Sequence, residues 1–265
     1  MNYQLKLNEV LKEMSLVDLT KNMLRQVKNQ PEDITLREAL FKLYCIEGSW
    51  EKAALQLETL LLLDGSDKKQ IELYKNLVFS EMLREQVLAG KKSAATQDGC
   101  PPSWLEKLQQ ANKAYYEGNI EHSNELRINA FSEVPEKGGD GPQTGSFSWL
   151  VDSDSRLGPV CEFINAGGYR WIPFTEIEAL SVRVPQDTLE LIWAQAQLVI
   201  KGETFYGFIP ARYPVEDESG QAIKLGYRTE WNSLTEVLTV GAGRKVLITD
   251  QSELSLFEID RVNFA

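Results

Sequence analysis

The stretch that decides the fold runs from Phe147 to Phe174 and reads FSWLVDSDSRLGPVCEFINAGGYRWIPF. It follows a glycine- and proline-rich segment, and turn signals at Gly158-Pro159 and Gly167-Gly168 divide it into short apolar runs. Asp152 and Asp154 are two residues apart, and alternate side chains of an extended chain share one face. The pattern therefore predicts short strands that bring acidic, basic and aromatic side chains together.

Two kinds of site fit the charged residues of this stretch. Arg156 or Arg170 can neutralise the aspartates, which predicts a structural ion-pair network. A divalent cation held by Asp152, Asp154 and Glu162 would instead support a metal-dependent hydrolase, because such ions take oxygen ligands. We favour the ion pairs and expect no metal, no cofactor and no catalytic residue. The expected cluster contains Asp152, Asp154, Arg156, Glu162, Arg170 and Trp171.

Composition narrows the possible partners and compartment. The chain has 265 residues and a formal net charge of -11, which argues against nucleic acid or a membrane surface as the main partner. Its three cysteines form no CxxC pair and indicate a reducing compartment. The N-terminus lacks a signal-peptide pattern, and the longest apolar run, 60–63, is far too short to cross a membrane. We expect a cytoplasmic protein.

The first half has the periodicity of amphipathic helices. Apolar residues recur at helical spacing in 36–47, where Thr35 with Glu38 predicts a capping box and Gly48 predicts the end. Helix pairs are expected at 8–30, 35–64 and 103–134, with a further helix at 67–90 and an insert at 91–102. Ser103 with Glu106 predicts a second capping box. His122, the single histidine, is expected on a helix surface and rules out a histidine-rich metal site.

A repeat underlies these helices. Pro31 and Gly65 are 34 residues apart, as are Asp33 and Asp67, and this is the period of tetratricopeptide repeats. The spacing predicts a TPR-like α-helical superhelix over 1–134, whose groove accepts a peptide segment. The large side chains beside the helices that are candidates for partner binding are Tyr44, Trp50, Tyr74 and Trp104.

The second half is predicted to be mostly strand. Residues 135–146 contain four glycines and two prolines and are expected to be a linker. Hairpins are predicted at 191–209 and at 245–259, so 147–265 is expected to be a β-rich, barrel-like domain. In the segment from Ile209 to Pro214, two prolines stiffen an expected surface loop that displays Arg212 and Tyr213 as further candidates for partner binding. An ion pair between Arg212 and Asp152 is the alternative.

Motifs over nearly the whole chain are similar to those of one known family. They are Arg37, Gly48, Trp50, Gln56-Leu57, Glu81 and Arg84 in the first half, and Asp152, Asp154, Arg156, Leu157-Gly158-Pro159, Gly168-Tyr169, Trp171–Phe174, Trp193, Ile209–Pro214, Thr229, Trp231, Gly241 and Gly243 in the second. With these residues the chain resembles the ImpE family, accessory proteins encoded with bacterial type VI secretion systems.

The resemblance carries an expectation of function. It implies a non-enzymatic adaptor that binds the small subunit of the type VI sheath through a helical segment of that subunit. It also implies a place near the ATPase that disassembles contracted sheaths, and a link to sheath assembly or recycling. The acidic charge of the chain suits a partner with basic, amphipathic segments.

Overall fold

The computed structural model describes residues 10–11 and 13–265, and helices dominate the first half of that part of the chain. The predicted helices are present, although the start of the segment expected at 8–30 falls outside the described residues. No helix within the described ranges is both long and apolar enough to span a membrane. The main helices are α1 (Leu16–Asn29), α2 (Ile34–Glu47), α3 (Trp50–Leu62), α4 (Lys68–Leu88), α5 (Ser103–Tyr116) and α6 (Ile120–Ser132).

Helix α2 packs on α3, and α5 packs on α6, as the predicted helix pairs require. The helix starts differ from the predicted capping boxes. Asp33 caps α2 by accepting a hydrogen bond from the backbone N–H of Leu36, so Thr35 lies inside the helix. Pro102 precedes α5 and Ser103 is its first residue. Aspartate is as good an N-cap as serine or threonine, and Asp33 caps α2 two residues before the predicted cap Thr35. The tetratricopeptide character of the layer stays a prediction.

The second half consists mainly of antiparallel strands, with one short α-helix, α7 (Gln221–Lys224), and three single-turn 3-10 helices at Phe174–Glu176, Leu189–Leu191 and Leu256–Glu258. One sheet has eight strands in the order β2-β1-β14-β6-β7-β8-β4-β5, and two smaller sheets have the orders β10-β11-β9 and β13-β12-β3. The strands are β1 (Gly139–Gly141), β2 (Gly145–Phe147), β3 (Leu150–Asp152), β4 (Val160–Asn165), β5 (Gly168–Pro173), β6 (Ala179–Val182), β7 (Trp193–Ile200), β8 (Glu203–Pro210), β9 (Arg212–Tyr213), β10 (Thr229–Ser233), β11 (Thr239–Arg244), β12 (Val246–Thr249), β13 (Glu253–Ser255) and β14 (Arg261–Phe264).

The predicted barrel is wrong, because the large sheet stays open in the described part of the chain. Its two outer strands, β2 and β5, do not pair with each other. The insert 91–102 covers the β5 edge instead: Trp171 donates its backbone N–H to the Ala95 carbonyl, and Arg170 donates to the Thr96 carbonyl. The insert thus occupies part of the edge that β5 would need to close a barrel.

The segment predicted as a linker carries ordered structure. Strands β1 and β2 lie at its centre and its end, and β1 pairs with β14 near the C-terminus. Glycine suits this position, since a side chain at Gly139 would collide with the Asn263 carbonyl and the Phe147 ring. The division into domains at 1–134 and 147–265 stays a prediction.

Strand β4 is buried on both faces and explains where the core lies. Val160, Glu162 and Ile164 alternate with Cys161 and Phe163. Val160 and Ile164 pack with the helices in one apolar cluster, whereas Cys161 and Phe163 belong to a second cluster within the β half. Since side chains alternate along a strand, Glu162 must point toward the helices, into an apolar region.

Two glycines with the same backbone strain allow a test of this packing. Gly90 and Gly118 both have a positive φ, but a Cβ at Gly90 would overlap the Asn112 carbonyl of α5, whereas none of the described atoms lies near a Cβ at Gly118. We expect Gly90→Ala to lower the free energy of unfolding by at least about 2 kcal/mol, and Gly118→Ala by only about 1 kcal/mol. Urea denaturation measures both values. Equal losses would contradict the close approach of the α4 end to α5.

Candidate functional site

Two of the acidic residues singled out from the sequence, Glu162 and Asp152, lie at the junction of the helices and the sheets, and the contacts centre on Glu162. Arg84 of α4 donates to both carboxylate oxygens of Glu162, at 2.7 and 2.9 Å. Lys245, which follows β11, donates to Glu162 at 2.8 Å. The Tyr169 hydroxyl of β5 donates to Glu162 at 2.5 Å, and it accepts a hydrogen bond from the Trp171 indole at 2.6 Å. Glu162 is 1% exposed, so these donors take the place of water.

Asp152 extends this arrangement on the β side. Lys245 bridges Glu162 and Asp152, with 2.5 Å between its ammonium and an Asp152 oxygen. Tyr213 donates its hydroxyl to the other Asp152 oxygen at 2.7 Å, and the backbone N–H of Asp154 donates to that same oxygen at 2.9 Å. Each carboxylate oxygen of Asp152 therefore has at least one donor, as a buried charge requires.

Glu81 completes the arrangement on the helical side. Its carboxylate accepts from Arg84 at 3.1 Å and from the Trp193 indole at 3.0 Å. The Trp193 ring lies 5.9 Å from the ring of Trp50, whose indole donates to Glu85 at 2.6 Å. The group of Glu81, Arg84, Asp152, Glu162 and Lys245 is called the buried ion-pair network below.

Asp154 and Arg156 form a separate pair beside this network. The Arg156 guanidinium contacts both Asp154 oxygens, at 2.9 and 2.5 Å, and its backbone N–H also donates to Asp154. Gly241 of β11 donates its backbone N–H to Asp154 at 2.9 Å. A forked pair of this kind holds its loop in one conformation.

The surroundings shift the pKa values of the buried ion-pair network in opposite directions. Burial by itself raises the pKa of Glu162, but Arg84 and Lys245 outweigh burial and hold that pKa well below its usual range. Burial also raises the pKa of Asp152, and Lys245 and Tyr213 offset only part of that rise. Burial lowers the pKa of Lys245, yet the two carboxylates raise it above its ordinary value. The stabilising charge interactions thus concentrate on Glu162.

The carboxylates of the cluster are paired with cationic side chains. The carboxylates that a metal-dependent hydrolase would need are committed to cations: Glu162 to Arg84 and Lys245, and Asp154 to Arg156. Within residues 10–11 and 13–265, no group of three or more His, Cys, Asp or Glu side chains is arranged to hold a metal ion. The favoured interpretation, an ion-pair network, describes this geometry.

The structure brings some of the predicted residues together and separates others. Arg170 bonds to the insert 91–102 and not to an aspartate. Arg212 and Tyr213 are 2% and 0% exposed, so the prediction of a surface loop that displays them is wrong. The alternative pair is also wrong: Arg212 donates to the carbonyls of Cys45, Ile46 and Lys224, and it is Tyr213 that contacts Asp152.

The aromatic candidates of the helical half are mostly interior. Tyr44, Trp50 and Trp104 are buried, and Tyr74 is partly exposed. Phe41 packs against Tyr74 with 5.2 Å between ring centres, and Lys52 lies over the Tyr44 ring. A partner would reach the three buried rings only after the helices moved apart, and their role in binding stays a prediction.

Sequence reasoning missed Lys245 and the pairing of Arg84 with Glu162. A signal for Arg84 exists, since Leu77, Glu81, Arg84 and Leu88 follow the helical spacing of one buried stripe. Glu162 within an apolar strand also indicates a buried charge that needs a partner. Lys245 carries no comparable signal, because it comes from a turn between two strands.

Comparison with known proteins shows relatives that are similar to both halves of this chain. The model of the ImpE protein family matches residues 144–263. A curated relative from Pseudomonas aeruginosa, named type VI secretion system accessory component TagJ, is 36% identical over 261 residues, which are 97% of this chain and 90% of that protein. The chain belongs to the ImpE family. The family prediction made from the sequence is confirmed.

A solved structure shares the ImpE fold described here. It is the crystal structure of protein VPA1032 from Vibrio parahaemolyticus, with a TM-score of 0.87, 25% identity and 97% of both chains covered. The likeness therefore includes the helical layer as well as the sheets. The buried ion-pair network lies where these two parts meet.

Removal of the Asp152 charge tests whether the site of this ImpE protein is structural. Asp152→Ala leaves Lys245 with one carboxylate in place of two, and we expect it to lower the free energy of unfolding by about 3 kcal/mol. Exposed Asp140→Ala is the control and should change little. Thermal shifts with Mg²⁺, Mn²⁺ and Ca²⁺ complete the test. A variant of unchanged melting temperature that loses a metal-induced shift would show that Asp152 serves a metal site.

The depressed pKa of Glu162 predicts a specific acid dependence in the ImpE protein. A group whose folded pKa lies below its unfolded value, about 4.3 for glutamate, stabilises the fold above that value and loses its contribution as pH falls. We expect Glu162→Gln to cost about 3–5 kcal/mol of unfolding free energy at pH 7. The difference in unfolding free energy between wild type and Glu162→Gln should become smaller as the pH falls from about 5 to about 3. Denaturant titrations across that range, with exposed Glu203→Gln as control, measure it, and a constant gap would be inconsistent with this assignment.

Proposed function

We propose that this protein is a non-enzymatic accessory component of a bacterial type VI secretion system. The observation that carries the proposal is the 36% identity to an accessory component of such a system over 97% of this chain. Likeness of that extent includes the helical half, which lies outside the matched family region at 144–263. The whole chain, and not one module, therefore supports the same role.

The chemistry of the charged cluster agrees with an adaptor role. Its carboxylates are paired with buried cations, and Glu162 has no free oxygen for a metal or a substrate. Nothing in the described geometry favours the hydrolase that the Asp152, Asp154 and Glu162 cluster first suggested. The cluster instead joins the helices to the sheets.

The partner in this proposal is a helical segment of the small sheath subunit. The chain carries a formal net charge of -11, which favours basic partners and accelerates their association. It also presents helices whose exposed faces carry apolar residues, among them Leu55, Leu62 and Phe79. In this proposal the protein acts in the cytoplasm, beside the ATPase that disassembles contracted sheaths, in sheath assembly or recycling.

Calorimetry tests this function directly. We expect a synthetic peptide that spans the first helix of the small sheath subunit to bind the intact protein with a micromolar or lower dissociation constant, because an apolar helix face is buried on binding. A peptide of the same composition in scrambled order keeps the charge but loses the apolar face, and it should not bind. The absence of heat at high micromolar concentration, with protein shown to be folded, would rule the proposal out.

A further inference from the structure

A cleft opens where the end of α6 meets the small sheet of β3 and β12. It has a volume of ≈ 560 Å³, which is within the usual range for binding pockets and holds a few side chains of a partner. One wall is the chain from Phe131 to Glu136, and the other is formed by Trp149, Val151 and Ile248. The cleft thus lies on the junction that the buried ion-pair network holds together.

Strand alternation explains why the second wall is apolar. Along the chain from Trp149 to Ser153, alternate side chains line the cleft, whereas Leu150 and the Asp152 carboxylate point into the interior. Ile248 of β12 is the direct cross-strand partner of Val151 and therefore lies on the same face. The result is a continuous apolar surface that leads up to the Trp149 ring.

Two aromatic residues at this cleft are partly exposed. Phe131 and Trp149 are each 37% exposed, although both are large apolar side chains. The Phe131 ring rests on the backbone of Gly158, where a Cβ would lie 2.7 Å from the ring, and Gly158 has a φ of +53°. The Leu157-Gly158-Pro159 motif thus makes room for the exposed ring. Partly exposed aromatics on a rigid support are typical anchors of protein interfaces.

The charge of the cleft favours a cationic partner. Glu136 lines it, and Lys, Arg and His are absent from the described residues that do so. The nearby Lys137 is turned away, because its ammonium donates to the carbonyls of Thr175 and Ile177. The last turn of α6 ends here and adds the partial negative charge of a helix C-terminus. Asp152 also borders the cleft, but its carboxylate points away from it and pairs with Lys245.

The edge of the small sheet decides the form of the partner. β3 is its outer strand, but the backbone N–H of Asp152 already donates to the Gly158 carbonyl at 2.7 Å. One outward backbone group of this three-residue strand is thus already used, which leaves little edge for an added strand and favours a partner that contacts side chains. A partner helix can meet this requirement, because its apolar side chains one turn apart can enter a short cleft that is lined by side chains.

We infer that this cleft is the docking site for an amphipathic helix that inserts apolar side chains between Phe131 and Trp149 and places a lysine or arginine beside Glu136. The inference rests on the proposed function for the identity of that helix. It assigns the contact to the junction between helices and sheets, and not to the buried aromatics of the helical layer.

Fluorescence anisotropy with the labelled sheath-subunit peptide tests the site. We expect Trp149→Ala and Phe131→Ala each to raise the dissociation constant about thirtyfold, whereas Tyr206→Ala, which removes an aromatic side chain that is 73% exposed elsewhere, leaves it unchanged. Circular dichroism confirms that each variant is folded. If the wild type fails to bind, both the proposed function and the cleft are overturned. If it binds and the two cleft variants bind equally well, the cleft alone is overturned.

The charge contribution is tested with a surface variant that leaves the core untouched. We expect Glu136→Lys to slow association severalfold and to flatten its dependence on salt, with the dissociation rate little changed. Glu121→Lys, at the opposite end of α6, is the matched control and should keep the wild-type rates.

Sedimentation of the wild type and of Trp149→Ala tests whether a second copy of this chain occupies the cleft instead. A dimer that Trp149→Ala abolishes, with peptide binding intact, would assign the cleft to a second copy of this chain and overturn the inference.

Discussion

The structure depends on one carboxylate that has no access to water. Glu162 belongs to a strand of the large sheet, yet one of its two main cationic partners, Arg84, comes from a helix of the first half. Burial of an ion costs several kcal/mol unless well-placed partners offset it. The helix and the sheet therefore stabilise this charge only when they are assembled together. This requirement couples the two halves of the chain more specifically than apolar contact, which tolerates rearrangement.

Buried charges also fix the conformation of a surface segment, the loop from Asp152 to Gly158. Asp152 sends its carboxylate to Lys245, and Asp154 holds Arg156 and the backbone N–H of Gly241. The loop is thus tied down from within, while its outer face supports the Phe131 ring beside the cleft. A surface held in one conformation before binding loses less entropy when a partner arrives. In the proposed docking at the cleft, these ion pairs would fix the face that the partner contacts.

The insert 91–102 plays a comparable part at the other side of the large sheet. It pairs with the edge strand β5 through Ala95 and accepts the Arg170 guanidinium at Thr96. The large sheet remains open, but the insert covers part of this edge. The interruption of the helical array therefore has a structural reason, which also explains why Arg170 does not contact the aspartates.

Local patterns in the sequence determined the helices, the hairpin of β7 and β8 and the turn at Gly48. These features depend on residues close together in the chain, so periodicity and turn signals are sufficient to predict them. The family was indicated by motifs spread over nearly the whole chain. Tertiary structure alone decided which cation meets which carboxylate: Lys245 lies 93 positions from Asp152, and Arg84 lies 78 from Glu162. It also decided that Arg212 and Tyr213 are buried and that the sheet stays open. The physical reason is that a buried charge is stabilised by whichever partner the packing brings within hydrogen-bond distance, and sequence separation places no limit on that choice.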